Sequence, residues 1–161
     1  MELPKRKPNR LQHYDYSAPG AYFITICTKN REFLFWDHVG ASIARQQTPR
    51  LSEWGKIVNQ AILDIPAHYP AITVDQYVVM PNHIHILLQI NTDCHGRPMV
   101  APTISHVIQQ MKGIVTKQIG VSVWQKLFHD HVIRGEKDYQ KIWDYIDNNP
   151  ARWREDCFYV E

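Results

Sequence analysis

The chain has 161 residues, of which 44% are hydrophobic and 21% are charged. These values fit one globular domain with an apolar core, and they exclude an intrinsically disordered chain. Its 18 Lys and Arg residues against 16 Asp and Glu leave a net charge of only +2, so the total charge does not indicate a nucleic-acid partner. The three cysteines are scattered without a C-x-x-C pair, which argues against a disulfide framework and against a cysteine zinc site.

The amino-terminal segment predicts a flexible basic arm over residues 1–13. Lys5, Arg6, Lys7 and Arg10 lie in a short proline-containing stretch, and they are either weak DNA contacts or part of a solvated tail. No apolar leader segment precedes the domain, and no apolar run approaches the roughly 18 residues of a membrane span. We therefore expect a cytoplasmic protein that does not enter a membrane.

The first half of the chain predicts one strand and one helix. Residues 21–28 are β-branched and aromatic after a Pro-Gly turn, which is typical of a strand, and residues 33–36 form a weaker extended segment. An irregular polar stretch follows over residues 40–50. Apolar residues then recur with helical period over 51–65, and Pro66 is expected to end that helix.

The next segment predicts a β-hairpin and a second helix. Two apolar strands, 72–79 and 84–90, are separated by Met-Pro-Asn, which favours a short reversal. Residues 91–102 contain Asn, Asp, Gly and Pro and indicate a loop. Helical spacing returns over 103–119, with Gly120 as its stop signal.

The carboxyl-terminal part predicts a strand over 128–134 and a helix over 138–149, with Asp138 as the N-cap. The order β, α, β, β, α, β, α is that of a ferredoxin-like (RRM-like) α+β fold. It consists of an antiparallel sheet with helices on one face, to which a C-terminal helix is added here. We expect a single domain over residues 14–155 and a tail over 156–161.

Two histidines form the clearest candidate site. His83 and His85 are two residues apart in a predicted strand, so their side chains lie on one face and can converge on one metal ion. They could instead be packed core residues whose nitrogens are satisfied. A structural zinc site would need four ligands, so an open catalytic site is the better metal interpretation.

A tyrosine on the last predicted helix is the second candidate. Tyr145 and Asn149 are four residues apart, so they share one helix face. Tyr145 could be an ordinary half-buried core residue, but the Asn149 amide oxygen could complete a metal shell begun by the two histidines. A phenol of pKa near ~10 attacks a phosphodiester poorly unless a metal ion or a base assists it.

These residues carry a resemblance to a known family. The segment 77–85, which ends in His83-Ile84-His85, resembles the HUH signature of single-tyrosine transposases in the IS200-like superfamily. Further blocks are similar to the branch known as REP-associated tyrosine transposases, and with this segment they extend from about Tyr14 to Trp153. They are residues 20–28, 123–125, 131–134 and 145–150.

The resemblance implies a metal-dependent endonuclease and strand transferase that binds single-stranded or hairpin DNA in DNA transposition or REP-element processing. It implies that Tyr145 is the nucleophile and forms a 5′-phosphotyrosine. His83 and His85 would bind Mg²⁺ or Mn²⁺. Asn149 would be a further ligand, at a position where the transposase branch commonly has glutamine. IS200-like relatives form dimers, whereas the REP-associated branch is thought to act as monomers, so both states remain open.

Other residues carry weaker expectations. Lys112 and Arg134 could contact phosphates and Trp124 could stack on an unpaired base, although structural roles are the simpler interpretation for each. Two other functions remain as alternatives. One is a domesticated, non-catalytic module that binds DNA or RNA hairpins, and the other is a metal-dependent phosphodiesterase of small molecules on the same fold.

Overall fold

The computed structural model describes residues 10–37, 49–92 and 102–159. Two short 3₁₀ turns, Lys29–Arg31 and Pro150–Glu155, accompany the helices and strands of this part of the chain. The elements are, in chain order, β1 (Gly20–Cys27), α1 (Glu53–Leu63), α2 (Ile65–His68), β2 (Ile72–Val79), β3 (His83–Ile90), α3 (Ile104–Ile119), β4 (His129–Val132) and α4 (Glu136–Asn148).

The four strands form one antiparallel sheet in the order β2-β3-β1-β4. This order, with α1 and α3 as the two connecting helices, is the ferredoxin-like arrangement, and it confirms the predicted α+β fold class. The predicted hairpin is β2 paired with β3. The two central strands are β3 and β1, so the histidine-bearing strand lies in the middle of the sheet and is buried along nearly its whole length.

The two faces of the sheet are covered by different helices. Ile84 and Ile86 of β3 belong to the main core, to which α1 and α3 contribute their apolar faces. The alternate residue Leu87 packs instead with Ile142 and Ile146 of α4. Because side chains alternate along a strand, His83 and His85 project from the face that α4 covers. The sheet thereby directs both imidazoles towards the C-terminal helix.

Several predicted boundaries move in the structure. The α1 helix ends at Leu63, and Pro66 lies in the first turn of α2. Proline is tolerated there because the backbone N–H groups of the first turn have no acceptor within the helix. The prediction that Asp138 caps α4 was wrong, because the helix begins at Glu136 after Gly135. The Asp138 carboxylate instead accepts a hydrogen bond from the Arg134 backbone N–H at 3.0 Å, one turn back. The first turn of the helix consists of polar residues, so the spacing of apolar residues could not predict where the helix begins.

Some predictions fall outside the described residues. These are the arm residues Lys5, Arg6 and Lys7, and most of the predicted irregular stretches 40–50 and 91–102. The predicted extended segment 33–36 is represented by one isolated bridge from Trp36 to Leu51. None of the helices in the described ranges is long and apolar enough to cross a membrane.

Two helical glycines give a matched stability test. A Cβ at Gly55 would lie 2.1 Å from the Phe35 carbonyl oxygen, whereas a Cβ at Gly113 would have nothing within 4 Å. We expect Gly55→Ala to lower the free energy of unfolding by about 3 kcal/mol, because backbone must move. Gly113→Ala should raise it by ~0.5–1 kcal/mol, since alanine is the better helix former. Chemical denaturation of both variants measures the difference, and equal effects would contradict the close approach of α1 to Phe35.

Candidate active site

Two imidazoles meet in the interior beside the start of β3. The Nε2 atoms of His83 and His85 are 3.1 Å apart, and both side chains are fully buried. The Pro-Asn reversal before β3 places them at the end of a central strand, on the face that α4 covers. This is the same-face arrangement that their spacing requires.

Asn82 fixes the orientation of His83. Its Oδ1 atom lies 2.8 Å from His83 Nδ1, and its Nδ2 group donates to the Phe158 carbonyl at 2.9 Å. The donation to a carbonyl assigns the amide nitrogen, so the atom that faces the imidazole is an acceptor. His83 therefore carries its proton on Nδ1, and its Nε2 lone pair is directed at His85.

Thr25 holds the second imidazole. It is the cross-strand partner of His85 on β1, and its hydroxyl lies 2.8 Å from His85 Nδ1. Burial lowers the pKa of both imidazoles, to about 2 for His83 and about 3 for His85. For His83, the neighbouring His85 and Arg31 contribute to this lowered pKa besides burial. Both rings are therefore neutral, which is the form that binds metal ions.

Asp156 brings a carboxylate to the same place. Its Oδ2 atom is 3.7 Å from His83 Nε2, and its side chain is only 2% exposed. Oδ1 accepts a hydrogen bond from the Phe158 N–H, but Oδ2 has no hydrogen-bond partner in the described part of the chain. A buried carboxylate oxygen without a donor is costly, and a cation would compensate it.

The three side chains fit a divalent metal ion. One ligand atom from each of His83, His85 and Asp156 lies within 4.8 Å of the others. Two neutral imidazoles and a carboxylate are a donor set that divalent metals accept. The partners of both Nδ1 atoms complete the arrangement, because they orient the rings as outer-shell residues of metal sites do.

Asp156 has no marker in the sequence. It lies just after the 3₁₀ turn, in a segment without apolar period. The turn is held by Trp153, which is 3% exposed and packs against the rings of Trp36 and His83. Phe158 then packs on His83 with ring centroids 4.6 Å apart. These aromatic contacts place Asp156 beside the histidines, and they depend on tertiary packing that local patterns do not encode.

Tyr145 lies next to this cluster. Its hydroxyl is 3.4 Å from His85 Nε2, and its ring packs edge-on against Phe23 and His85. The side chain is 41% exposed. Partial burial, together with the Asp156 charge and against the opposing effect of the nearby Asn149 amide, raises the pKa of the hydroxyl to about 12. The phenol is thus protonated at neutral pH and reachable from solvent.

Asn149 stands at the end of α4 close to Tyr145. It is 4% exposed, and neither polar atom of its amide has a hydrogen-bond partner among the described residues. Asn149, Tyr145 and Asp156 line one cavity of about 350 Å³, and the exposed side chains of Lys141 and Arg152 line it as well. The carboxylates of Asp144 and Glu155 line the same cavity, so the tyrosine hydroxyl faces side chains of both charges.

Comparisons with known proteins identify the family. The chain is 35% identical to an uncharacterised Haemophilus influenzae protein, covering 97% of this chain and 94% of that protein. It is 25% identical to the REP-associated tyrosine transposase of Escherichia coli, covering 85% of this chain and 70% of that protein. A solved structure of a REP-associated tyrosine transposase bound to a REP hairpin superposes with a TM-score of 0.61 and 22% identity, covering 89% and 74% of the two chains.

The chain belongs to the REP-associated tyrosine transposases of the IS200-like superfamily. The family resemblance of the sequence is thereby confirmed. No protein-family model matches the chain. The likeness to the hairpin-bound structure concerns the fold, since fold alone does not transfer an activity.

The weaker candidate DNA contacts lie apart from the histidines. Trp124 is 5% exposed and belongs to the main core. Lys112 is half-buried, and its ammonium donates to the backbone carbonyls of Gln125 and Lys126 at 2.7 Å and 3.2 Å. The structure thus gives both residues packing partners and does not bring either one to the cavity beside Tyr145.

The hydroxyl of Thr25 gives a test of how the protein orients His85. Thr25→Val keeps the shape of this buried side chain but removes the partner of His85 Nδ1. We expect it to weaken Mn²⁺ binding about tenfold, because partners that orient metal ligands contribute this much. Isothermal titration of the purified protein with Mn²⁺ measures the change, and Thr25→Ser should restore most of the affinity. Unchanged affinity in Thr25→Val would show that this hydroxyl does not orient a metal ligand.

Proposed function

We propose that the protein is a metal-dependent single-stranded DNA nickase and strand transferase that binds hairpin DNA. The observation that carries the proposal is the position of the Tyr145 hydroxyl, 3.4 Å from His85 Nε2, beside a cluster that fits a divalent metal. A nucleophile and an electrophilic centre are thus adjacent. Membership of a transposase family supports DNA as the substrate.

The covalent step is a transfer of a phosphodiester to Tyr145. The hydroxyl oxygen forms a bond to the scissile phosphorus, and the bond from phosphorus to the 3′-oxygen breaks. The 3′-oxygen takes up a proton and leaves as a free 3′-hydroxyl, while the 5′-phosphate remains on the tyrosine. The phenol proton passes to water, which the 41% exposure of Tyr145 allows. Reversal with another 3′-hydroxyl rejoins DNA without ATP, because one phosphodiester replaces another.

The metal centre is assigned to residues of this chain. His83, His85 and Asp156 would hold Mg²⁺ or Mn²⁺, and the Asn149 amide oxygen is a further candidate ligand near the tyrosine. When bound, the ion polarises the scissile phosphate and stabilises the charge that develops on it. Tyr145 needs such help, because its own pKa is raised to about 12.

The surroundings of the tyrosine suit a DNA strand. Lys141 and Arg152 are the cationic residues among those that line the cavity beside Tyr145, and they would contact phosphates of the strand. The related transposase of known structure is bound to a REP hairpin, which supports a hairpin as the substrate here. Because Tyr145 contacts His85 of the same chain, and His85 contacts His83, we propose that a monomer carries a complete site. The biological process would be DNA transposition or the processing of REP-like elements.

The experiment that tests the proposal follows covalent attachment. Hairpin oligonucleotides with single-stranded flanks are labelled at the 5′ end or the 3′ end and incubated with the protein and Mg²⁺, Mn²⁺ or a chelator. On a denaturing gel, the 3′-labelled fragment should migrate with the protein, and the 5′-labelled fragment should be released with a free 3′-hydroxyl. Peptide mass spectrometry should map the adduct to Tyr145.

Two outcomes would contradict the proposal and point to a different function. Tight binding of hairpins without metal-dependent cleavage would favour a non-catalytic hairpin-binding module. Hydrolysis of small phosphodiesters without a covalent intermediate would favour a small-molecule phosphodiesterase. The absence of any adduct in the presence of a chelator is the control for metal dependence.

A further inference from the structure

A second cavity lies at the β4 edge of the sheet. Its volume is about 400 Å³, and it shares no lining residue with the cavity beside Tyr145. Arg10, Tyr16, Asp130 and Arg134 are among the residues that line it. The structure therefore brings together two arginines that are far apart in sequence. Each of them carried only a weak expectation of DNA contact by itself.

The floor of this cavity contains a carboxylate beside the Tyr16 hydroxyl, and one of its two oxygens has no hydrogen-bond partner in the described part of the chain. The Asp130 side chain is 3% exposed, and its Oδ1 atom has no hydrogen-bond partner among the described residues. The guanidinium of Arg10 is a nearby cation, with Nε at 3.9 Å from Oδ1, which is too long for a hydrogen bond. A buried acceptor without a donor is unfavourable, so a ligand that supplies a hydrogen-bond donor to it binds favourably.

Arg10 is held over the cavity by aromatic rings. Its guanidinium carbon lies 5.7 Å from the centroid of Tyr16 and 5.2 Å from that of Phe128, and its side chain is 47% exposed. Arg134, two residues after the end of β4, lines the same cavity and is also exposed. The cavity thus has cations at its rim and an anion at its floor.

This distribution of charge selects the chemistry of the ligand. A carboxylate repels a phosphate, so phosphates belong at the arginine rim and a neutral group with hydrogen-bond donors belongs at the floor. A nucleobase on a DNA strand has this combination. Among the four bases, guanine offers two adjacent donors, N1–H and the N2 amino group, to the two oxygens of one carboxylate. Only an unpaired guanine has this edge available.

We propose that the cavity binds one unpaired guanine of the DNA substrate, with Asp130 accepting from N1–H and the N2 amino group and with Arg10 and Arg134 contacting flanking phosphates. The inference rests on the proposed function, because it takes single-stranded DNA as the ligand. It adds a base-specific contact at the sheet edge, apart from the chemistry at Tyr145.

The test measures base preference in the absence of cleavage. The full chain carrying Tyr145→Phe is titrated with fluorescent hairpins whose single-stranded thymine flanks contain one guanine, moved through each position in turn. At one position, guanine should bind about tenfold more tightly than thymine, as expected for a bidentate contact. At that position, inosine, which lacks the N2 amino group, should lose about fivefold. The analogue 7-deazaguanine keeps both donors and should bind like guanine.

Asp130→Asn, made in the same background, tests the residue. The amide keeps the shape of the carboxylate but removes one acceptor, so guanine and inosine should bind equally. Asp64→Asn is the matched control, because that carboxylate accepts from Gln60 on α1 and does not line the cavity. It should leave the tenfold preference for guanine unchanged.

The outcomes separate this inference from the proposed function. A Tyr145 adduct in the unsubstituted protein without any guanine preference would overturn the guanine site and leave the nickase intact. A guanine preference that Asp130→Asn removes, without any adduct, would support the site and contradict the chemistry. A lower melting temperature of Asp130→Asn with unchanged discrimination against inosine would assign Asp130 to structure alone. If Asp130→Asn does not fold, the affinities for guanine and inosine are compared on the protein with native Asp130. Equal affinities would then overturn the guanine site.

Discussion

Tyr145→Phe should abolish the covalent protein–DNA adduct while leaving hairpin binding nearly unchanged. The phenylalanine ring keeps the edge-on contacts with Phe23 and His85, at centroid distances of 6.1 Å and 5.2 Å, and only the hydroxyl is lost. We expect the rate of adduct formation to fall on the order of 10⁴-fold or more, as when other nucleophiles are removed. Hairpin affinity, measured by fluorescence anisotropy, should stay within about twofold, because the hydroxyl acts in the reaction and not in binding.

Tyr139→Phe is the control for this substitution. Tyr139 lies on the same helix, and its hydroxyl donates to Asp75 on β2 at 2.8 Å. Its removal should cost about 1 kcal/mol of stability and leave the adduct intact. Equal loss of the adduct in both variants would indicate a general effect on α4. An adduct that persists in Tyr145→Phe and maps to another residue would reject Tyr145 as the nucleophile.

The fold was predictable because apolar residues recur at regular spacing in its central helices and strands. In α3, apolar residues recur every three or four positions up to Gly120, whose φ of 89° ends the helix as predicted. The β2–β3 hairpin was predictable from the Pro-Asn reversal between two apolar runs. The element order then leaves few topologies, and the ferredoxin-like order is one of them.

The candidate site was predictable only where it follows the same local periods. Alternation along β3 places His83 and His85 on one face, and the helical period brings Tyr145 and Asn149 together. Asp156 has no such marker. Its position depends on Trp153 and Phe158, which pack against rings contributed by distant parts of the chain. The same holds for Asp130, whose surroundings come from the segment before β1 and from β4.

Asp156→Asn should weaken metal binding while stabilising the metal-free protein. The carboxylate is 2% exposed, and its Oδ2 has no hydrogen-bond partner in the described ranges, so the charge costs free energy when no cation is bound. Asparagine keeps the oxygen that accepts from the Phe158 N–H but removes the charge. We therefore expect the dissociation constant for Mn²⁺ to rise at least about tenfold. In a chelator, the melting temperature should rise.

Electron paramagnetic resonance of free Mn²⁺ measures the metal affinity, and a thermal melt in chelator measures the stability of the metal-free protein. A fall in metal affinity together with a rise in melting temperature is the result expected for a metal ligand. A residue with a purely structural role would lower both metal affinity and melting temperature.

Asn149→Ala decides whether the amide is also a ligand. Because this substitution removes a neutral ligand, it should weaken Mn²⁺ binding less than Asp156→Asn does. The reverse ranking would return the third ligand to Asn149, as the sequence predicted, and would leave Asp156 as a charge that tunes the tyrosine.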